Sequence, residues 1–495
     1  SHFVASQASS PKFHFLAHYG SLGPRAEMLG LAAARSLGRV AARGPLATSL
    51  RHPAAPWLQR CSGAPVRVNS SVALNPSAFV LGTAAAVDGS SAISTRLVDV
   101  LLGRGQLVKE GYEKAVGYWL VGASGLLYSM IGIGGYTRLS GSGLSMTDWR
   151  IEGRSLPRSE ELWKKEFEDY KRFPEYQRLH NGSMELTDFK RIYFVEWFHR
   201  MWGRGVGVYF AVPLVYLGAR RIVRGPLLLR LTGLLGLGIS QAFVGWWMVR
   251  SGFDPPEKHT PTLGPNQRPR VSPYRLASHW TAALTLYVGV VWNALTLLRP
   301  SPAVAHGTAE ALAAAAKCRR LALPVAAAVG ITLLSGPFVA GNDAGRAFNT
   351  WPKMNYDWVP PEVVRAVANP FANMRLFFEE TAVVQFNHRT LAYASVIGAL
   401  VLSAYGASLP LWSGAAVAVR ILPLAVGAQM CLGIATLLLY VPIELGVAHQ
   451  AGGVLVLTSV VAVLHALRLP AAGMLALPAA VVGAGAVAAA AAAAA

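Results

Sequence analysis

Apolar stretches of about 20 residues, free of charge and each long enough to cross a bilayer as a helix, recur along most of this chain. Six are plain: Val116–Tyr136, Leu231–Val249, Leu276–Leu298, Leu321–Asn342, Ile421–Ile443 and Leu445–Leu467. Two more sit behind charged entries, Arg191–Ala219 and a helix starting near Thr381 in an apolar run that reaches Val419. A buried core helix explains any one of them, but not eight in series. Lipid offers no partner to backbone N–H and C=O groups, so such segments must be helices. The pattern predicts an all-α integral membrane protein with eight transmembrane helices.

The pattern also repeats. His199-Arg200 in the second span has a counterpart in His388-Arg389 in the sixth. Gln241-Ala-Phe-Val-Gly245 matches Gln429-Met-Cys-Leu-Gly433, and Leu276-Ala-Ser-His279 matches Gly446-Val-Ala-His449. His199 and Gln241 are 42 residues apart, and His388 and Gln429 are 41. Each half holds an even number of spans, so both halves enter the membrane in the same orientation, as parallel repeats do. We expect two tandem pseudo-symmetric four-helix bundles, at 115–300 and 321–468. A linker at 301–320 joins them, preceded by a leader at 1–94 and followed by an apolar, alanine-rich tail at 469–495. The tail reads equally as a ninth span, a surface helix or low-complexity sequence.

Composition agrees, with 53% hydrophobic and 14% charged residues. A formal net charge of +20 raises the question of nucleic acid, which its placement answers in the negative. Arg35, Arg39, Arg43, Arg51, Arg60 and Arg67 lie in a Ser/Ala-rich leader with no acidic residue from Met28 to Val87. That is the composition of a mitochondrial or plastid transit peptide, a disordered basic tail being the plainer alternative. Lys109, Lys114, Arg220, Arg221, Arg224, Lys317, Arg319, Arg320 and Arg468 all fall on one side if the spans alternate. The positive-inside rule then puts both bundle termini in the matrix of an inner mitochondrial membrane. The loops Arg138–Lys190, Arg250–Pro273 and Gly341–Glu380 would face the intermembrane space. Cys61, Cys318 and Cys431, expected in the leader, a loop and a helix, form neither a disulfide framework nor a zinc site.

Each even-numbered span carries one histidine about two turns in from its outer end: His199, His279, His388 and His449. Singly, such a histidine is more often a hydrogen-bonded packing residue. As two pairs at matched depth, they suit axial coordination of haem iron. Zinc would want three or four ligands per site, and copper usually adds sulfur. Gly203, Gly205 and Gly207 would let a macrocycle approach the backbone, although close helix packing uses glycine equally often. Arg138, Arg200, Arg275, Arg346 and Arg389 lie at the outer ends, suited to haem propionates or to anchoring a helix at the interface. Glu196 stands three residues before His199, whereas Gln385 stands three before His388. A carboxylate can exchange protons and an amide cannot, so the first half reads as the reactive one. A plain Glu196–Arg200 helix pair is the alternative.

Several stretches resemble one family. Gly134-Gly135-Tyr136-Thr137-Arg138-Leu139 with Ser142-Gly143-Leu144-Ser145-Met146 and Trp149 is similar to the signature after the first helix of haem A synthases. Glu196 to Arg204, Tyr274 to His279, Asp343-Ala344-Gly345, Asn349, Trp351 to Met354 and Gln385 to Arg389 continue the likeness, over roughly Gly117 to Arg468. It is strongest to the mitochondrial members. The resemblance implies an oxidoreductase that converts the C8 methyl group of haem O to a formyl group, giving haem A for cytochrome c oxidase. It implies two successive hydroxylations and loss of water from the geminal diol. His199 and His279 would hold haem O as substrate, with Glu196 the acidic residue of the reaction. His388 and His449 would ligate a haem b cofactor, and Arg138, Arg200, Arg275 and Arg389 would bind around the two macrocycles. It further implies haem O synthase upstream, a ferredoxin-type electron donor and the cytochrome c oxidase assembly machinery as partners. The lipid bilayer surrounds the protein, and a homo-oligomer is compatible with the sequence. Bacterial relatives often carry a cysteine pair in the first external loop; Arg138–Lys190 has none. The rival reading is a non-catalytic di-haem b-type electron-transfer protein, which four histidines alone would allow. A transporter or haem-delivery scaffold is a further alternative, disfavoured because the titratable groups cluster near one surface.

Overall fold

The computed structural model describes residues 107–180, 182–253, 271–299 and 308–469. The leader at 1–94, linker residues 301–307, residues 254–270 of the loop Arg250–Pro273 and the tail from 470 lie outside the described residues. Within them the long elements are α1 (Glu113–Leu139), α2 (Glu160–Lys171), α3 (Leu186–Ala219), α4 (Gly225–Arg250) and α5 (Pro273–Leu298). They continue with α6 (Ala309–Gly341), the short α7 (Pro361–Ala368) and α8 (Leu376–Glu379), and then α9 (Thr381–Ala407), α10 (Ser413–Leu438) and α11 (Ile443–Ala466). No strand is present among the described residues.

Seven of these helices are long and apolar enough to cross a membrane: α1, α4, α5, α6, α9, α10 and α11. The protein is an integral membrane helical protein. The remaining expected span, Arg191–Ala219, is the later part of the 34-residue α3. That helix carries Asp188, Lys190, Arg191, Glu196, Arg200 and Arg204, which sets it apart from the seven by composition.

Three boundaries differ from the sequence expectation. The helix expected near Thr381 starts there, but the apolar run to Val419 holds more than that one helix. The run breaks at Ser408–Trp412, where Pro410 lacks the N–H needed to continue, and α10 begins at Ser413. The stretch Ile421–Ile443 breaks likewise, at Leu439–Pro442. Tyr440 and Val441 adopt left-handed φ values of 61° and 58° there, and Pro442 caps α11. The later part of the expected linker is helical, because Thr308 caps α6 by accepting from the Ala311 N–H at 3.1 Å. Cys318, expected in a loop, is therefore buried inside α6.

In the first half α1 packs on α3 and α5, and α4 on α3 and α5, closing a ring of four. In the second half α6 packs on α9 and α11, and α10 on the same two. The rings meet where α1 and α5 pack on α11 and α5 on α6. Lipid tails are as apolar as leucine, so packing and hydrogen bonds must hold this seam. Ile131, Leu284, Tyr287, Val291, Val454 and Val461 form its buried centre. Polar ties cross it: Tyr287 Oη to Thr458 Oγ1 at 2.8 Å, Trp280 Nε1 donating to the Leu333 carbonyl at 2.9 Å, and Gln450 Nε2 donating to the Ile131 carbonyl at 2.8 Å. Gln450 lies against Gly135, where a Cβ would come within 2.4 Å of Oε1, so a larger residue would push it out.

The connection from α1 to α3 folds as a cap around α2. Met146, Phe167, Tyr170, Phe189 and Tyr193 form its core. Arg154 clamps the buried Glu166 with both guanidinium nitrogens. Trp197 Nε1, from α3, donates to the Arg154 carbonyl at 2.6 Å and ties the cap to the helix below.

Candidate functional site

All four histidines line one cavity of about 1180 Å³ that runs through both rings. Each faces a glycine on a neighbouring helix. A Cβ on Gly134 of α1 would stand 3.2 Å from His199 Nε2, and one on Gly245 of α4 would stand 3.4 Å from His279 Cε1. The second half matches: a Cβ on Gly336 of α6 would stand 4.0 Å from His388 Cε1, and one on Gly433 of α10 only 2.7 Å from His449 Cε1. At each point the missing side chain lets the helix come close to the imidazole.

The cavity wall is built twice in the same register. On α1 and α6, Leu127, Met130, Ile131 and Gly134 answer Val329, Thr332, Leu333 and Gly336. On α3 and α9, Glu196, His199, Arg200, Gly203, Val206 and Gly207 answer Gln385, His388, Arg389, Ala392, Ser395 and Val396. Gln241 and Gly245 answer Gln429 and Gly433, and His279 and Ala283 answer His449 and Gly453. Gly203 and Gly207 are on the wall, one turn apart beyond His199; Gly205 is not among the lining residues.

The imidazole rings of His388 and His449 have centroids 6.3 Å apart. A metal–nitrogen distance of about 2.0 Å on each side, added to the two ring radii, fills that gap. The second-half pair therefore fits a single metal centre held between two imidazoles. Among the described residues no three His, Cys, Asp or Glu side chains gather into a cluster that could hold a metal ion. In the first half, His199 Nδ1 and His279 Nδ1 are buried without a hydrogen-bond partner, and so are both amide atoms of Gln241. Buried polar atoms left unpaired are uncommon in native interiors and invite a ligand or a water.

The acid and its surroundings are tightly built. Glu196 is 3% exposed, and its Oε1 accepts from Arg200 Nε at 2.6 Å. Its Oε2 lies 4.0 Å from His199 Nδ1. Arg200 also donates to the Asp148 carbonyl at 2.7 Å and the Met146 carbonyl at 3.1 Å, pinning the cap over the first chamber. The helix pair expected as the alternative is thus real, and it coexists with a carboxylate oxygen turned towards the imidazole. In the second half Arg389 donates to Gln385 Oε1 at 2.8 Å and to the Phe348 carbonyl at 2.7 Å. The Gln385 amide donates to the Ala344 carbonyl at 2.6 Å and the Ala347 carbonyl at 2.5 Å. A carboxylate could not make those last two bonds.

The remaining arginines divide. Arg138 lines the cavity, donates to the Ala340 carbonyl at 3.1 Å and lies 3.7 Å from Asp343 Oδ1, so it also bridges the halves. Arg389 and Arg346 line the cavity as well. Arg275 is turned onto Trp247: its guanidinium stands 4.6 Å from the ring centre and donates to the Trp247 carbonyl at 2.8 Å.

Among the cavity-facing groups that escaped the sequence reading are Glu175 and Gln450. Glu175, in the cap, lines the cavity and is buried, accepting from Tyr170 Oη at 3.0 Å. Desolvation pushes its carboxyl up to about 7, aided by the Glu196 charge and opposed by the Tyr170 hydrogen bond and Arg138. Nothing in its sequence neighbourhood marks it, since burial comes from how the cap folds back. Gln450 follows the ligand-like His449, and only the seam explains it.

A family model described as COX15-CtaA, cytochrome oxidase assembly protein, matches residues 117–461. The chain belongs to this family. It is 46% identical over 367 residues to a protein named Heme A synthase COX15 from Arabidopsis thaliana, covering 73% of this chain and 77% of that protein. The protein of the same name from Homo sapiens is 39% identical over 369 residues, covering 74% and 86%. Heme A synthase of Rhodospirillum centenum is 41% identical over 365 residues, covering 72% and 89%. The matched span runs from inside α1 to inside α11, so it takes in His199, His279, His388, His449, Glu196 and both rings of the cavity wall.

Proposed function

We propose that this protein is a haem A synthase, an oxidoreductase of the inner mitochondrial membrane that oxidises the C8 methyl group of haem O to the formyl group of haem A. The observation that carries the reading is the doubled histidine pair in one cavity, with an acid beside the first pair and an amide beside the second. His199 and His279 hold the substrate iron; His388 and His449 hold a haem b. When bound, the haem b supplies one-electron transfer. Glu196, oriented by Arg200, exchanges protons beside the reacting methyl group, and the cap pinned by Arg200 limits water at the first chamber. Arg138 and Arg389 stand at the cavity edge, where propionates would meet a cation. Two hydroxylations, each taking one oxygen atom from O2 with two electrons from the donor and two protons and releasing the other oxygen as water, followed by loss of water from the geminal diol, complete the change from methyl to formyl. Haem O synthase supplies the substrate, a ferredoxin-type donor the electrons, and cytochrome c oxidase assembly takes the product.

The test is turnover in lipid nanodiscs. Protein loaded with haem b and given haem O, oxygen and a reducing system should form haem A, read by pigment extraction. Glu196→Gln should bind both haems and form none. A Glu196→Gln protein as active as the unsubstituted one sinks the reading.

A further inference from the structure

The two pairs of imidazoles are not held alike. His388 Nδ1 lies 2.6 Å from Ser335 Oγ, and that same hydroxyl donates to the Thr332 carbonyl at 2.7 Å. A serine hydroxyl has a single proton, and a carbonyl can only accept. With that proton committed to Thr332, Oγ accepts from the imidazole, so His388 carries its proton on Nδ1. Its Nε2 is left as the lone pair. His449 is held as well: Gln429 Nε2 donates to the His449 carbonyl at 2.7 Å and stands 3.0 Å from its Nδ1.

The first half has no such anchor. The register of the cavity wall, in which Gly134 answers Gly336, puts Ile133 where Ser335 stands. Met130 likewise takes the place of Thr332, and Val206 that of Ser395, whose hydroxyl lies 3.0 Å from Thr332 Oγ1. A polar strip beside one histidine is therefore apolar beside the other. His199 Nδ1 and His279 Nδ1 are left without hydrogen-bond partners.

We propose that Ser335 is a positioning residue that locks His388 in the Nδ1–H form, and that Ile133 at the equivalent place leaves His199 free to turn. The second chamber then keeps its macrocycle, and the first exchanges substrate for product. The inference rests on the assignment of haem sites above and adds what makes one permanent and the other exchangeable. An Nδ1–H donated to an acceptor makes an imidazole a stronger ligand, and such outer partners typically change metal affinity by 10–100-fold.

The experiment uses the full chain in nanodiscs, carrying His199→Ala and His279→Ala so that haem b loads only the second chamber. Midpoint potential is read by redox titration, and haem loss by transfer to apomyoglobin. Ser335→Ala should raise the potential, because weaker imidazole donation favours the ferrous iron, and should speed haem loss by roughly tenfold or more. Ser335→Thr, which keeps the hydroxyl, should restore both. In the otherwise unsubstituted chain, Ile133→Ser should slow loss of the macrocycle from the first chamber. Unchanged potential and loss rate in Ser335→Ala, with the bis-imidazole spectrum intact, overturn the role of Ser335 and leave the haem assignment standing. A parent chain that takes up no haem overturns both.

Discussion

The two rings share a backbone plan and a cavity register, and they differ in how the same positions are used. At the position three before the first histidine, Glu196 gives one oxygen to Arg200 and turns the other towards His199. Gln385 gives its oxygen to Arg389 and spends its two amide protons on loop carbonyls. Both solve the problem of a half-buried arginine beside a loop. Only the amide can also staple that loop, and only the carboxylate can accept a proton. The cavity wall differs in the same sense. Gly203, Gly207 and Gly238 in the first ring answer Ala392, Val396 and Val426 in the second. The second ring is filled and tied; the first is open and loosely held.

Breaking the comparison outright gives the largest effects. His388→Ala or His449→Ala should remove the second-half haem while the first chamber still takes up haem O, and the converse should hold for His199→Ala and His279→Ala. Pigment extraction and absorption spectra of each purified variant check this. Loss of both macrocycles from every variant would mean the rings are not separate sites.

Making the first ring resemble the second comes next. Glu196→Gln should fold, since Gln385 already occupies that environment beside an arginine, and should keep haem content. Its rate of haem A formation should fall by about 10²–10⁴-fold, the usual worth of a positioned proton acceptor. Gly207→Val imports the bulk of Val396. A Cβ at Gly207 meets nothing within 4 Å, so the protein should accept it, and the first chamber alone should narrow. Haem O affinity should drop by roughly 10–200-fold, with haem b content unchanged. An equal loss of both haems would point to a folding defect instead.

The smallest effect concerns the cap over the first ring. Glu175, raised from an ordinary 4.5 to about 7, binds a proton in the folded state at pH values where the unfolded chain has lost it. Between those two values the folded state holds more protons, so stability falls as pH rises towards 7 and levels off above it. Thermal unfolding in nanodiscs should show that slope, and Glu175→Gln should flatten it while keeping the Tyr170 hydrogen bond. A slope that persists in the variant assigns it to another group.

Much of this architecture is legible in the chain. Runs of uncharged apolar residues report helices directly, because lipid leaves the backbone no other partner. The internal repeat is legible too, since His199, Gln241 and His279 recur in order as His388, Gln429 and His449. The breaks at Ser408–Trp412 and Leu439–Pro442 do not show in hydropathy, which continues across both turns; Pro410 and Pro442 are the residues that mark them. Gln241 and Gln429 show the boundary most clearly. The same residue type at the same register is engaged with its histidine in one ring and unpartnered in the other.

The sequence alone determined the helices, the doubling, the four histidines and the Glu196/Gln385 difference, because those are properties of residue type and spacing. Only the tertiary structure decided that the four imidazoles share one cavity, that Ser335 reaches His388, and that Glu175 is buried beneath the cap. Those facts depend on which helix faces meet, and a hydrogen bond between residues 53 positions apart exists only once packing has fixed the distance between them.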